Sequence, residues 1–310
     1  MSTPADIAAA HARVAPHVRR TPMLALSDAT FGRALSLKLE LLQHAGSFKP
    51  RGAFNRVLSS EVPAAGLIAA SGGNHGVAVA HVARRLGHRA EIFVPEIVTA
   101  PKLARLRAEG PSITVTGATY ADALAASSAR AAETGALVVH AYDQPEVVAG
   151  QGTVGKEIEE DAPPVDTVLV ACGGGGLVAG IAAWYTGRVK VVAVEPEGCP
   201  ALARAFEAGR PVDAPVGGLC ADSLGARSVG ALAFAIAREH VARVVLVKDE
   251  DVLAAQGALF RELRLVAEPG GAAALAAVLS GAYAPAAGER VCVVVCGSNA
   301  DPAKIAALVS

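Results

Sequence analysis

From about residue 35 onward, short runs of Val, Ile and Leu alternate with longer alanine-rich stretches. The apolar runs cover residues 35–42, 66–71, 90–95, 112–117, 137–142, 167–172, 189–196, 243–248 and 290–296. Continuous apolarity over so short a length, with many β-branched residues, marks strands covered on both faces. Between most of these runs lies enough chain for a crossover helix. The alternation predicts an α/β fold with open, twisted, mainly parallel sheets and helices on both faces. Nine strands are many for one open sheet, and residues 66–143 hold four complete strand and helix units of their own. We therefore expect two domains: a large one from residues 1–65 and 144–310, and a small one, 66–143, inserted into it.

Composition changes this picture little. Of 310 residues, 52% are hydrophobic but only 4% aromatic and 18% charged, so alanine and glycine supply the apolar excess and let helices sit close on a sheet. A mean hydropathy of +0.40 raises the question of a membrane. Two stretches, 167–187 and 269–288, lack charge over the ~20 residues a spanning helix needs. The first is interrupted by the run Gly173-Gly174-Gly175-Gly176, and the second is mostly alanine with Pro285 inside it, so neither reads as a membrane span.

A net charge of -1 leaves no footprint for a polyanion, and nucleic acid is not an expected partner. Five scattered cysteines without a CxxC pair indicate neither a disulfide framework nor a structural zinc site, and point to a reducing compartment. The first twenty residues lack the apolar core of a secretory signal. A cytoplasmic protein is expected.

In open α/β sheets, ligands gather where strands end and helices begin. Four such turns carry chemistry. In His44-Ala45-Gly46-Ser47-Phe48-Lys49-Pro50-Arg51-Gly52-Ala53, Lys49 stands between an aromatic and a proline, where partial desolvation would make its amine a base or nucleophile. A solvated lysine on a helix's first turn is the plainer alternative. In Ser71-Gly72-Gly73-Asn74-His75-Gly76, backbone amides, the Ser71 hydroxyl and the Asn74 amide converge as they would on a carboxylate, although a simple helix cap in a tight turn has the same residues. Gly173 to Gly176, followed by Leu177, expose a nest of amides that suits a phosphate, with neither the dinucleotide nor the Walker A spacing. Cys296-Gly297-Ser298-Asn299 ends the last strand, and Cys296 stands at its carboxyl end, where a thiol reaches a ligand.

These four motifs, in this order, resemble the short-form serine/threonine dehydratases (threonine ammonia-lyases) of the fold-type II pyridoxal-phosphate enzymes. The likeness runs from Pro22 to about Pro302. It implies a tryptophan synthase beta-like fold and pyridoxal 5′-phosphate as cofactor. Lys49 matches the Schiff-base lysine, which as a free amine also takes the Cα proton, and Phe48 matches the residue flanking the cofactor ring. Asn74 matches the partner of the cofactor's phenolic oxygen. Ser71, Gly72, Asn74 and His75 match the substrate loop, with Ser71 among the catalytic positions. Gly173, Gly174, Gly175, Gly176 and Leu177 match the phosphate cradle, and Cys296 the partner of the pyridine nitrogen.

The resemblance implies α,β-elimination of water from a small 3-hydroxy amino acid, threonine or serine, to a 2-oxo acid and ammonia. Phenylserine, 3-hydroxyaspartate, a β-replacement reaction and mere binding of a phosphate ligand are the alternatives. Three departures narrow it. Where related serine racemases carry a reprotonating serine, this chain has Gly72. Relatives that bind a divalent metal pair a glutamate with an aspartate six residues later; Glu195 matches, but Ala201 does not, so no metal is expected. Ser223 places a hydroxyl where relatives often have glycine. No regulatory C-terminal domain is implied, and the family likeness together with the prevalence of two-fold symmetry points to a homodimer.

Overall fold

Each apolar run contributes a strand; the valine-rich runs at 167–172 and 189–196 are covered on both sides, whereas Ser112–Val115 and Val241–Val247 lie toward the sheet edges and are partly exposed. In the computed structural model, which describes residues 2–308, the strands are β1 (Met23–Leu26), β2 (Leu35–Lys38), β3 (Leu67–Ala70), β4 (Ala90–Val94), β5 (Ser112–Val115), β6 (Leu137–Val138), β7 (Thr167–Ala171), β8 (Lys190–Pro196), β9 (Val241–Val247) and β10 (Val291–Val294). They form a six-stranded sheet in the order β1-β2-β10-β7-β8-β9 and a four-stranded sheet in the order β5-β4-β3-β6. Every pairing is parallel except β1 with β2. The smaller sheet draws only on β3 to β6, and separate apolar cores lie beneath the two sheets.

Small residues set the spacing of the layers. The helices Pro145–Asp161 and Gly176–Tyr185 cross with Gly152 and Gly180 face to face: a Cβ on Gly180 would stand 2.4 Å from Val148 O and 2.5 Å from Gly152 N. Any side chain there would force the helices apart. The helix Pro269–Leu279 is buried from Gly270 to Val278, which its alanines permit. The first uncharged stretch and the helical part of the second are thus internal elements of a layered fold, while 280–288 is mostly exposed loop, and among the described residues no helix is long and apolar enough to cross a membrane.

One polar cluster lies inside the large core. Arg51, on the helix Lys49–Leu58, reaches Glu40 at 2.7 Å and Glu157 at 2.7 Å, while Lys38 Nζ donates to Glu157 Oε2 at 2.6 Å and to Thr21 O at 2.8 Å. All of these charged side chains are at most 2% exposed. Burial opposes their charges, yet Arg51 and Lys38 keep the Glu157 carboxyl below its ordinary range. The cluster ties the Lys49 helix to β2 and to the helix Pro145–Asp161.

The run 35–42 departs from expectation. Its strand stops at Lys38, and Glu40–Leu42 turn as a single 3-10 turn. A continued strand would alternate Glu40 in register with Lys38; the turn instead brings the Glu40 carboxylate onto Arg51 and the Thr21 hydroxyl.

Candidate active site

Lys49 opens its helix immediately after a segment stapled to the end of β10. Ser47 bridges Gly297, Phe48 N donates to Cys296 O at 3.2 Å, and Ser298 N donates to Gly46 O at 2.8 Å. Ser298 Oγ donates to Leu41 O at 3.0 Å and Asn299 Nδ2 to Ala45 O at 2.8 Å. The first and fourth motifs, some 250 residues apart in sequence, are therefore one rigid wall.

Lys49 Nζ donates to Ala141 O at 2.8 Å and lies 5.1 Å from the centre of the Phe48 ring. Enclosure lowers its pKa to about 8, against the pull of Cys296 and Glu268. Opposite it, Gly173 to Gly176 lead from β7 into the helix Gly176–Tyr185, with Gly175 at φ +91°, a conformation side chains rarely adopt. A Cβ on Gly174 would stand 2.3 Å from Tyr142 Cδ1, and one on Gly173 would stand 3.0 Å from Leu224 O. The N–H groups of Gly173, Gly174 and Gly175 meet no protein acceptor among the described residues. They form, at a helix N-terminus, a concave donor set for a phosphate.

Phe48, Lys49, Asn74, Gly173 to Gly176, Leu177 and Cys296 line one cavity, together with Tyr142, Ser223 and Glu268. Its free volume is about 50 Å³. One cavity thus brings together an amine of lowered pKa, a donor-lined glycine cradle and a thiol, a set whose chemistry fits pyridoxal 5′-phosphate.

Cys296 is buried, which pushes its thiol well above the ordinary range, and its Sγ donates to Gly270 O at 3.4 Å. Asn74 Nδ2 donates to Glu268 Oε1 at 2.5 Å, and Asn74 Oδ1 accepts from Asn299 Nδ2 at 2.7 Å. Burial raises Glu268 to about 7, although the bond from Asn74 and the charges of Arg105, Lys102 and Lys49 lower it.

Of the loop 71–75 only Asn74 lines this cavity; Ser71, Gly72 and His75 do not. Ser71 Oγ accepts from Gly73 N at 3.1 Å, and a Cβ on Gly72 would face away, 2.8 Å from Val98 Cγ2. The His75 imidazole is turned from the cavity: it is 5% exposed and its Nε2 bonds Val139 O at 2.8 Å. One residue past Asn74 on a helix lies about 100° around the axis, so the two side chains part. Burial and the nearby Lys49 lower His75 to about 3, and it is a neutral structural histidine.

Glu195 places both carboxylate oxygens on the start of the helix Ala201–Ala208, accepting from Leu202 N at 2.8 Å and Ala203 N at 2.9 Å. Among the described residues no group of three His, Cys, Asp or Glu side chains converges as metal ligands do.

Two cavity residues escape the sequence motifs. Glu268 is a single carboxylate at the border of the uncharged stretch 269–288, and that isolation beside a buried helix is the signal that could have marked it. Tyr142 follows β6 with nothing local to distinguish it.

Comparison with known proteins gives one family and consistent neighbours. Residues 14–297 match the family model described as pyridoxal-phosphate dependent enzyme. The chain is 38% identical to a phenylserine dehydratase from Ralstonia pickettii, over 97% of this chain and 94% of that protein. Among solved structures it is similar to a T.th. threonine deaminase (TM-score 0.90, 38% identity, 96% of this chain and 99% of that one). It is also similar to maize serine racemase (TM-score 0.92, 32% identity, 99% and 96%).

Proposed function

The chain belongs to the pyridoxal-phosphate dependent enzymes, and from that premise we propose that it is an ammonia-lyase that removes water from a 3-hydroxy amino acid, threonine or serine, to release a 2-oxo acid and ammonia. The observation that carries the reading is the Lys49 amine, its pKa lowered to about 8, facing the glycine cradle across a cavity that holds a thiol and no aspartate.

Gly173 to Gly176 hold the cofactor's phosphate on their free amides and on the helix N-terminus. Phe48 lies against the ring, and Asn74 donates to its phenolic oxygen. The Ser71 to Gly73 turn holds the substrate carboxylate. Bound pyridoxal phosphate supplies an electron sink for the pair left at Cα. Lys49, as the neutral amine, takes the Cα proton. Its partner Ala141 O then keeps the resulting ammonium in place. Cys296, a neutral thiol whose own proton goes to Gly270 O, cannot hold a second proton on the ring nitrogen as an ionised carboxylate would. That electronic setting favours prompt departure of the β-hydroxyl over storage of the electron pair.

Racemisation needs an acid on the face opposite Lys49. Gly72 offers no hydroxyl there, and Val98 occupies the space a side chain would take. The proposal includes a homodimer in a reducing cytoplasm; all five cysteines are buried and unpaired, in keeping with the second point.

A panel of L-threonine, L-serine, phenylserine and 3-hydroxyaspartate, scored for 2-oxo acid and ammonia, tests the reading. Release from threonine or serine is expected. Formation of D-serine in excess of pyruvate, or turnover that requires an added thiol or sulfide, would overturn it; light scattering at monomer mass would remove the dimer.

A further inference from the structure

The amide of Asn74 has two orientations that differ by exchange of oxygen and nitrogen, and its neighbours decide between them. Asn299 Nδ2 donates to Ala45 O, a backbone carbonyl that can only accept. The nitrogen of Asn299 is therefore the atom on that side, and its second hydrogen goes to Asn74 at 2.7 Å. The atom of Asn74 that receives it must be Oδ1. Its Nδ2 then faces Glu268 Oε1 at 2.5 Å, and one N–H is left over on a side chain that lines the cavity.

Glu268 is itself pinned. Its backbone N donates to Gly297 O at 3.1 Å, and its carboxylate lies over Gly297, where a Cβ would come within 2.0 Å of Oε1. No other residue at position 297 leaves room for it. The fourth motif thus acts beyond its thiol: Gly297 seats the carboxyl and Asn299 orients the amide.

We propose that Glu268 and Asn299 are positioning residues that lock the Asn74 amide in one orientation, so that its free N–H is presented to the phenolic oxygen of the cofactor. Without the lock, half of the accessible orientations would point Oδ1 at that oxygen, acceptor against acceptor. The inference rests on the cofactor placement proposed above. At pH 9, where Lys49 is already mostly the free base, it differs from a structural role for Glu268 in requiring that the effect on cofactor binding pass through Asn74.

The test is a double-mutant cycle read at pH 9 by titrating the cofactor-free protein with pyridoxal 5′-phosphate and following the absorbance of the bound form. Glu268→Ala and Asn74→Ala are each expected to weaken binding about tenfold, the scale of one hydrogen bond to a charged partner. Glu268→Gln, which keeps an acceptor at the same place, should stay within about threefold of the parent. In an Asn74→Ala background, Glu268→Ala should change the affinity by less than about twofold. Asn299→Asp, which puts an acceptor against Asn74 Oδ1 and turns the amide over, should lose at least the same factor, and again nothing once Asn74 is alanine. Equal losses in both backgrounds, or parental affinity for Glu268→Ala and Asn299→Asp, would overturn the lock. If Glu268→Ala does not fold, the Asn299→Asp pair decides alone. A parent protein that shows no visible band with the cofactor refutes the proposed function, whereas a band with additive losses refutes only the lock.

Discussion

Lys49 makes the sharpest prediction about chemistry before any substrate is present. The amine is only partly exposed, and burial lowers its pKa from the ordinary 10.5 to about 8, while Cys296 and Glu268 favour the ammonium. At pH 7 about one Lys49 in ten is then a free base, about 300-fold more than for an unperturbed lysine. Only the free base attacks a carbonyl, so the predicted gain is a gain in reactivity. Trace acetylation of the cofactor-free protein over pH 6 to 11, read at the Lys49 peptide against an added lysine amide standard, measures the midpoint directly. We expect it near pH 8. Glu268→Gln removes a carboxylate that stabilises the ammonium, so the midpoint should move lower still. A midpoint near 10, or an upward move in Glu268→Gln, would refute the argument that desolvation in this cavity prepares the lysine.

Four further outcomes follow from named contacts. Arg51→Met leaves Glu40 buried without its cation and Glu157 with Lys38 alone, which should cost about 3–5 kcal/mol in urea unfolding at pH 7. In the parent, the depressed Glu157 carboxyl contributes stability above the unfolded glutamate pKa and loses it as pH falls through the folded one. In the variant the Glu40 carboxylate, left without Arg51, takes up a proton instead, so the deficit should shrink toward pH 5; a deficit that grows on acidification would count against the cluster. Gly174→Ala drives a Cβ into Tyr142 and should weaken cofactor binding at least about tenfold, whereas Gly217→Ala, where a Cβ meets nothing within 4 Å, should leave it unchanged. Because both Glu195 oxygens are spent on backbone amides, removal of divalent ions with a chelator should change turnover less than about twofold; a large loss restored by magnesium would show that the helix start rearranges to admit a cation.

What the sequence made legible was whatever depends on local period or local backbone chemistry. All nine apolar runs contain a strand, although that of 35–42 stops at Lys38 and that of 137–142 at Val138; a short apolar run bounded by turn residues has few other environments in an α/β layer. The glycine cradle was legible for a related reason: four glycines after a strand have few other uses. β1 was not, because four residues at an antiparallel edge carry neither the length nor the alternation of a signal. The division at residues 66–143, still our proposal, is supported by four strands that pair only with one another.

What stayed hidden shares a cause. No local pattern gave Lys38, Arg51, Glu40 or Glu157 a shared role, and Lys38 and Glu157 meet from 119 residues apart. Nothing local distinguishes a charge that will be paired in the core from one left in water. The His75 imidazole shows the converse: it stands inside a motif, yet the helix turns it onto a different face from Asn74. Glu268 combines both difficulties, since its partner Asn74 is 194 residues away and its own flank reads only as the start of an alanine helix. Yet the physics that hid it also explains it. A carboxyl at the entrance of a helix buried from Gly270 to Val278 has no water to turn to, so it must find a donor among the residues that meet there. The donor it finds is the amide already expected to touch the cofactor, and this is why the residue least visible in the sequence sits closest to the motif that was most visible.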